Sequence, residues 1–245
     1  MTTKVVPGML IAVPSAEDVA REASARLAKT LAQAIKQRGK ATIALSGGDT
    51  PKQTYSRLAN ESDVDWSVVE VFFVDERAVP PNDDRSNFKH AKECLFDPAK
   101  IPEAHVHRMR ADDADLEHAA TEYEQILRTR VAVGQGGVPS FDVMVLGVGD
   151  DGHTASLFPG MATVEITDKY VVAVGKTDRE PRLTITAPVI EQARAVFVLA
   201  VGAKKTNALE RVWAVSGSLR DTPARVIRNA RGSIHWVIDK AAGGM

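Results

Sequence analysis

The chain has 245 residues, enough for one large or two small domains with a substantial apolar core, and its composition does not choose between them. Its 31 lysines and arginines against 32 aspartates and glutamates leave no excess charge to suggest nucleic acid, an anionic membrane or an acidic tail, so any anion-binding character must be local. The single cysteine, Cys94, excludes an internal disulfide and has no metal-spaced partner, which leaves it as core filling.

The N-terminal stretch MTTKVVPGMLIAVPSAED is a poor secretory signal, because Pro7 and Gly8 interrupt its apolar residues, and no later run approaches membrane-spanning length. A cytoplasmic location is the resulting expectation. Met9 to Val13 reads as a strand ending at Pro14, after which Ser15 caps a helix with Val19, Ala23, Leu27, Leu31 and Ile35 at helical spacing. Gly39 stops that helix, Ala41 to Leu45 reads as a buried strand, and Pro51 suits the first turn of the next helix. A third strand, Val68 to Val74, ends at Asp75, and the polar loop ERAVPPNDDRSN leads to a helix from about Phe88 that contains Cys94.

Asp112 to Val133 reads as a helix, and glycine-rich residues 134 to 140 lead into the strand Phe141 to Val148. Further strands are expected at Tyr170 to Val174, Leu183 to Thr186, Ala195 to Val201 and Ile234 to Ile238, with a helix over Lys204 to Val215. Such alternation implies a mostly parallel sheet covered on both faces, whose ligands bind beyond the carboxyl ends of the strands.

Three segments at those strand ends carry candidate chemistry. SGGDTP joins a strand to a helix; Ser46, Thr50 and the amides around Gly47 and Gly48 suit an oxyanion such as phosphate. An ordinary tight turn capped by Thr50 is the plain alternative, and a serine-hydrolase elbow on Ser46 is a sharper one, although ALSGG lacks the first glycine of that pattern. In VDERAVPPNDDRSN, Asp75 suits sugar hydroxyls and Arg77 a phosphate, against the plain reading of a solvated loop with internal salt bridges. Asp75 and Glu76 are adjacent on an extended chain and therefore point to opposite faces, which argues against a carboxylate dyad.

The third segment, LGVGDDGHTASLFPG, has Gly147, Gly149 and Gly152 in a formal dinucleotide pattern, but Pro159 and Gly160 cut short any following helix and no acid-terminated strand follows at the required distance. The alternative is a loop that presents His153, with Asp150 or Asp151 to orient its ring, for proton transfer near neutral pH. The other histidines show no zinc spacing, and His105 and His107 are expected to alternate on opposite faces of a strand, so no metal is predicted. In GAKKTNALERVW, Lys204 or Lys205 can point an ammonium at a phosphate, or simply begin a solvated helix.

Taken in order, SGGDTP, VDERAVPPNDDRSNF, LGVGDDGHTASLFPG, PRLTITAPVI and VGAKK closely resemble the 6-phosphogluconolactonase family over about Ala41 to Ile238, together with the late PARVI and HWVID stretches. The resemblance implies a single domain spanning residues 1–245, with a three-layer Rossmann-like α/β fold similar to that of glucosamine-6-phosphate deaminase and ribose-5-phosphate isomerase. It implies hydrolysis of 6-phospho-D-glucono-1,5-lactone in the oxidative pentose phosphate pathway, with no metal or organic cofactor. The partner it implies is a phosphorylated sugar lactone, with no nucleic acid and no membrane. On these positions His153 is the expected general base and Asp151 its support. Ser46, Gly47, Gly48, Thr50, Arg77 and Lys205 are expected to hold the phosphate and Asp75 the hydroxyls. The related deaminases carry an IAFNEP-like stretch after their histidine where this chain has TASLFP, so Leu157 and Phe158 favour the lactonase. A non-catalytic sugar-phosphate sensor on the same fold is the reading from another class.

Overall fold

The computed structural model describes residues 3–175 and 180–245; the remaining positions of the expected 1–245 domain lie outside the described residues. The apolar runs form strands β1 (Met9–Val13), β2 (Ala41–Leu45), β3 (Val69–Phe73), β5 (Val143–Gly147), β8 (Ala195–Ala200) and β9 (Ser233–Asp239). They make one sheet in the order β1-β9-β8-β5-β2-β3, and every neighbouring pair in it is parallel. Strands buried on both faces read as continuous apolar runs, and β2 (ATIAL) and β8 (AVFVLA) are buried along their whole lengths.

Helix α1 (Ala16–Arg38) crosses the strands and packs against β2, β5, β8 and β9. Its apolar stripe, Val19, Ala23, Leu27 and Leu31, is fully buried, as its spacing predicts. At the start, the Ser15 hydroxyl accepts the Asp18 backbone N–H at 3.2 Å, and at the end Gly39 takes the left-handed conformation (φ 74°) and donates to Ile35 O. The remaining helices are α2 (Asp49–Leu58), α3 (Asn87–Ala91), α4 (Leu116–Arg130), α5 (Ala187–Gln192) and α6 (Thr206–Trp213). Helix α3 runs on into a π turn at Lys92–Phe96, which buries Cys94.

Several boundaries differ from those read in the sequence, each for a local reason. Helix α4 begins only at Leu116, because the Asp115 side chain caps it and Asp113 already holds the Asp115 N–H in a preceding turn. Lys204 and Lys205 lie in a 3₁₀ turn ahead of α6. His105 and His107 do not alternate along a strand. Glu103–His105 is a 3₁₀ turn, Val106 alone bridges to Val71, and His107 stacks on Phe72 with its Nε2 2.8 Å from Glu70.

The larger difference is a second, antiparallel sheet made of β4 (Asp75–Arg77), β7 (Arg182–Ile185) and β6 (Val171–Val174), in the order β4-β7-β6. The polar residues after β3 read as loop because they lack apolar alternation, yet their backbone pairs with β7. Val74 makes the transfer: its N–H donates to Leu45 O in the central sheet at 2.9 Å, and its carbonyl accepts the Ile185 N–H of the second sheet at 2.9 Å. Among the described residues no helix is long and apolar enough to cross a membrane.

Replacing Ser15 with Ala removes the cap of the longest helix without touching the strand ends. Urea denaturation is expected to show a loss of about 1 kcal/mol. An unchanged midpoint would show that the cap contributes nothing to stability.

Candidate active site

The carboxyl ends of the parallel strands open into a cleft of about 390 Å³. At the end of β2, residues 46–48 turn the chain into α2. Gly48 is the N-cap residue and no side chain caps the helix, so Thr50 lies inside the first turn and is not the cap. Tyr55, one turn further on, fixes the loop by exchanging hydrogen bonds with Ser46: Ser46 N–H donates to the phenol at 3.1 Å and the phenol donates to Ser46 O at 3.0 Å. Burial pushes the Tyr55 phenol far up, which keeps it a neutral donor. Ser46 Oγ is buried with no hydrogen-bond partner, and Ser46 is not among the residues with positive φ. A hydrolase elbow needs a strained serine engaged by a base, and Ser46 is neither strained nor engaged. A Cβ on Gly47 would stand 1.8 Å from Asn87 Oδ1, so this glycine is required by close packing of the next segment over the loop.

Strand β4 sends its two carboxylates apart, as the alternation predicts. Asp75 Oδ2 accepts the Ser156 hydroxyl at 2.6 Å, and Asn87 Nδ2 donates to Asp75 O at 2.9 Å and Oδ1 at 3.2 Å. Arg182 Nη1 lies 3.7 Å from the same carboxylate. Glu76, also buried, accepts from the backbone N–H groups of Arg77, Asn87 and Phe88, each at 2.8 Å, and from Ser86 Oγ at 2.9 Å. Burial pushes the Glu76 carboxyl above its ordinary range while these four donors pull it down. Glu76 therefore organises the polar loop from within. The loop's outer face keeps the plain solvated character expected of it, with Asp83 paired to Arg85 and Asp84 to Lys89. Arg77 lines the cleft, with Nη1 donating to Arg85 O.

Beyond β5 the chain makes tight turns: Gly152 N–H donates to Gly149 O, Gly149 N–H to His153 O, and Thr154 Oγ1 to Gly147 O. No helix follows, and without it the dinucleotide reading fails. Asp151 Oδ1 lies 2.6 Å from His153 Nδ1 and accepts the His153 backbone N–H at 3.0 Å. A Cβ on Gly149 would fall 2.1 Å from His153 Nδ1, so only glycine lets the imidazole lie against this turn. Phe158 packs its ring 4.9 Å from the imidazole. Ala155, two residues past the histidine, has φ 48°, a conformation that costs energy for any residue with a Cβ. Asp150 does not face the ring; its Oδ1 lies 2.6 Å from Lys205 Nζ. Lys205 lines the cleft, whereas Lys204 is exposed outside it.

The structure thus brings Ser46, Gly47, Gly48, Thr50, Asp75, Arg77, His153 and Lys205 to the wall of one cleft, with Asp151 behind His153. Sequence reasoning missed Asn87 and Arg182, which line the same cleft. Asn87 lay within a polar run in which nothing distinguished it from its neighbours. Arg182 opens an apolar strand segment, and an arginine at the start of a buried strand was the available signal.

A parallel α/β sheet with a carboxylate-held histidine and a cluster of cations beyond its strand ends defines an enzyme for a small anionic substrate. Residues 14–236 match the family described as glucosamine-6-phosphate isomerases/6-phosphogluconolactonase, and the chain belongs to that family. It is 42% identical over 213 residues to a 6-phosphogluconolactonase of Synechocystis, covering 87% of this chain and 88% of that one. The solved 6-phosphogluconolactonase of Trypanosoma brucei superposes with a TM-score of 0.86 at 28% identity, covering 99% of each chain. A monomeric glucosamine-6-phosphate deaminase shares the fold at a TM-score of 0.80 and 20% identity, over 96% of this chain and 98% of that one.

The Glu76 arrangement is directly testable. In Glu76→Gln one acceptor oxygen becomes an NH₂ group; turned toward Ser86 and Phe88 it can donate to the Ser86 hydroxyl but leaves the Phe88 N–H facing another donor. An unsatisfied buried donor costs about 1–3 kcal/mol, and a loss on that scale is expected in chemical denaturation. A loss below roughly 1 kcal/mol would mean that the loop relaxes around the amide.

Proposed function

We propose that the chain hydrolyses 6-phospho-D-glucono-1,5-lactone to 6-phospho-D-gluconate in the oxidative pentose phosphate pathway, with His153 as the base that activates water. The observation that carries this reading is the His153–Asp151 pair at 2.6 Å in the same cleft as Arg77 and Lys205. With Nδ1–H donated to Asp151, the imidazole accepts a proton at Nε2. A water oxygen attacks the lactone carbonyl carbon as its proton passes to Nε2, and charge develops on the carbonyl oxygen. Collapse breaks the bond from that carbon to the ring oxygen, which takes the proton back from Nε2. Asp151 fixes the tautomer and supports the transient imidazolium.

The amides of Gly47 and Gly48 with Thr50, Arg77 and Lys205 hold the phosphate, Ser46 contributes to the same cradle, and Asp75 accepts the sugar hydroxyls. Phosphate binding far from the reacting carbon then supplies energy that aligns the carbonyl with the water. The Ser156 and Asn87 contacts of Asp75 keep its carboxylate from moving to follow the substrate. A phosphorylated sugar lactone as partner, a cytoplasmic location and a single catalytic domain belong to the same reading.

His153→Ala is expected to lower kcat by about 10²–10⁴-fold, measured as loss of enzymatically generated lactone after subtraction of spontaneous hydrolysis. Glucosamine 6-phosphate given to the wild type is expected to release no ammonia. Unchanged turnover in the variant would remove His153 from the mechanism, and ammonia release would replace the lactonase reading with the deaminase.

A further inference from the structure

We propose that Asp150 is a specificity-determining residue that competes with the substrate phosphate for Lys205, and so sets how tightly a phosphate ester is held. The inference rests on the assignment of Lys205 to the phosphate. The two groups are bonded, Asp150 Oδ1 lying 2.6 Å from Lys205 Nζ, and Lys205 is the member of the pair that lines the cleft. Lys205 cannot turn all its donors to a phosphate while this carboxylate holds it.

Two further features make the contact exchangeable. The Asp150 side chain is 56% exposed, and ion pairs of that exposure are weak because water and salt screen them. A phosphate dianion with more acceptor oxygens and twice the charge displaces a single carboxylate from an ammonium. The Asp150 backbone, in contrast, is held separately. Its carbonyl accepts Arg211 Nη2 at 3.3 Å, and the flanking turn is closed by Gly149 and His153. Rotation of the Asp150 side chain therefore releases Lys205 without shifting Asp151 from His153. A ligand without a phosphate leaves the pair intact. The pair thus weakens phosphate-bearing ligands and inorganic phosphate without touching unphosphorylated ones, which keeps the site from being saturated by inorganic phosphate and the charged product.

The test compares Asp150→Asn, Lys205→Met and the double variant, reading the competitive inhibition constant of inorganic phosphate and KM for the phosphorylated lactone, with unphosphorylated glucono-1,5-lactone as control. Asp150→Asn is expected to tighten inorganic phosphate and lower KM for the phosphorylated lactone by roughly threefold to fivefold, the scale of one exposed ion pair, and to leave KM for the unphosphorylated lactone unmoved. In the Lys205→Met background the same replacement is expected to change neither value. Weaker or unchanged phosphate binding in Asp150→Asn alone would overturn the competition and assign Asp150 a positioning or neutral role. Persistence of the gain in the double variant would also overturn it, because the effect would then be a general field. If Lys205→Met leaves inorganic phosphate binding unchanged, Lys205 is no phosphate ligand and both assignments fall, a result distinct from failure of the Asp150 arm.

Discussion

The site depends on one transfer of backbone hydrogen bonds at Val74. Its N–H completes the ladder of the central sheet against Leu45, and its carbonyl begins the ladder of the second sheet against Ile185. A single residue with both groups satisfied turns the chain from a parallel sheet into an antiparallel one without leaving a buried polar group unpaired. The consequence is positional. Asp75, the next residue, is carried into the cleft and Glu76 away from it. The two strands that bound Val74, β3 and β4, set the distance between the glycine loop after β2 and the wall made by β7. Asn87 then closes the corner, since its amide reaches Asp75 while its carbonyl packs where a Cβ on Gly47 would be.

The histidine loop is held by the same corner. Ser156 donates its hydroxyl to Asp75 and its N–H to Thr184 Oγ1 at 3.1 Å, so the loop from the central sheet is tied to both β4 and β7. From the other side, Ala224 N–H donates to Gly152 O at 2.9 Å and Gly160 N–H to Arg220 O at 2.8 Å. Between these ties Ala155 is kept at positive φ. Strain of this kind persists only where the surroundings over-determine it, and here two sheets and the 220–225 segment do so. The segment is itself fixed by Arg225, whose guanidinium donates to the carbonyls of Arg211, Val212, Ala214 and Val215 at the end of α6. Helix α6 follows Lys205 and carries Arg211, so one buried arginine connects the His153 loop to the cationic wall.

Much of this was legible in the sequence where period and punctuation agree. Strands β1 and β2 fall at the residues their apolar runs mark, α1 begins at the Ser15 cap and ends at Gly39, and the three polar motifs do meet beyond the strand ends. The second sheet was hidden because β4 is the polar triplet Asp-Glu-Arg, whose strand character comes from backbone pairing with β7 and not from side-chain alternation. Asn87 was hidden for a related reason: its role is defined by distance to Asp75 and Gly47, residues far from it along the chain. The choice between Asp150 and Asp151 was likewise open in the sequence, since either is close enough to His153, and only the turn at Gly149 decides which carboxylate meets Nδ1.

That decision has a chemical meaning. Adjacent aspartates in a tight turn leave in different directions, so Asp151 is committed to the imidazole and Asp150 to the ammonium of Lys205. The loop therefore ties the His153 imidazole and the Lys205 ammonium to two adjacent residues. On the Asp151 side one carboxylate oxygen meets both the ring Nδ1 and the His153 backbone N–H, which fixes the ring's orientation. On the Asp150 side the carboxylate meets Lys205 from a side chain that is more than half exposed. The two carboxylates differ in exposure, 38% for Asp151 against 56% for Asp150, and the His153 ring is set against Phe158. The same short sequence, GDDGH, thus holds a ring that packs on Phe158 and is tied back to Asp151 through its own backbone N–H, and beside it an exposed ion pair that water and salt screen.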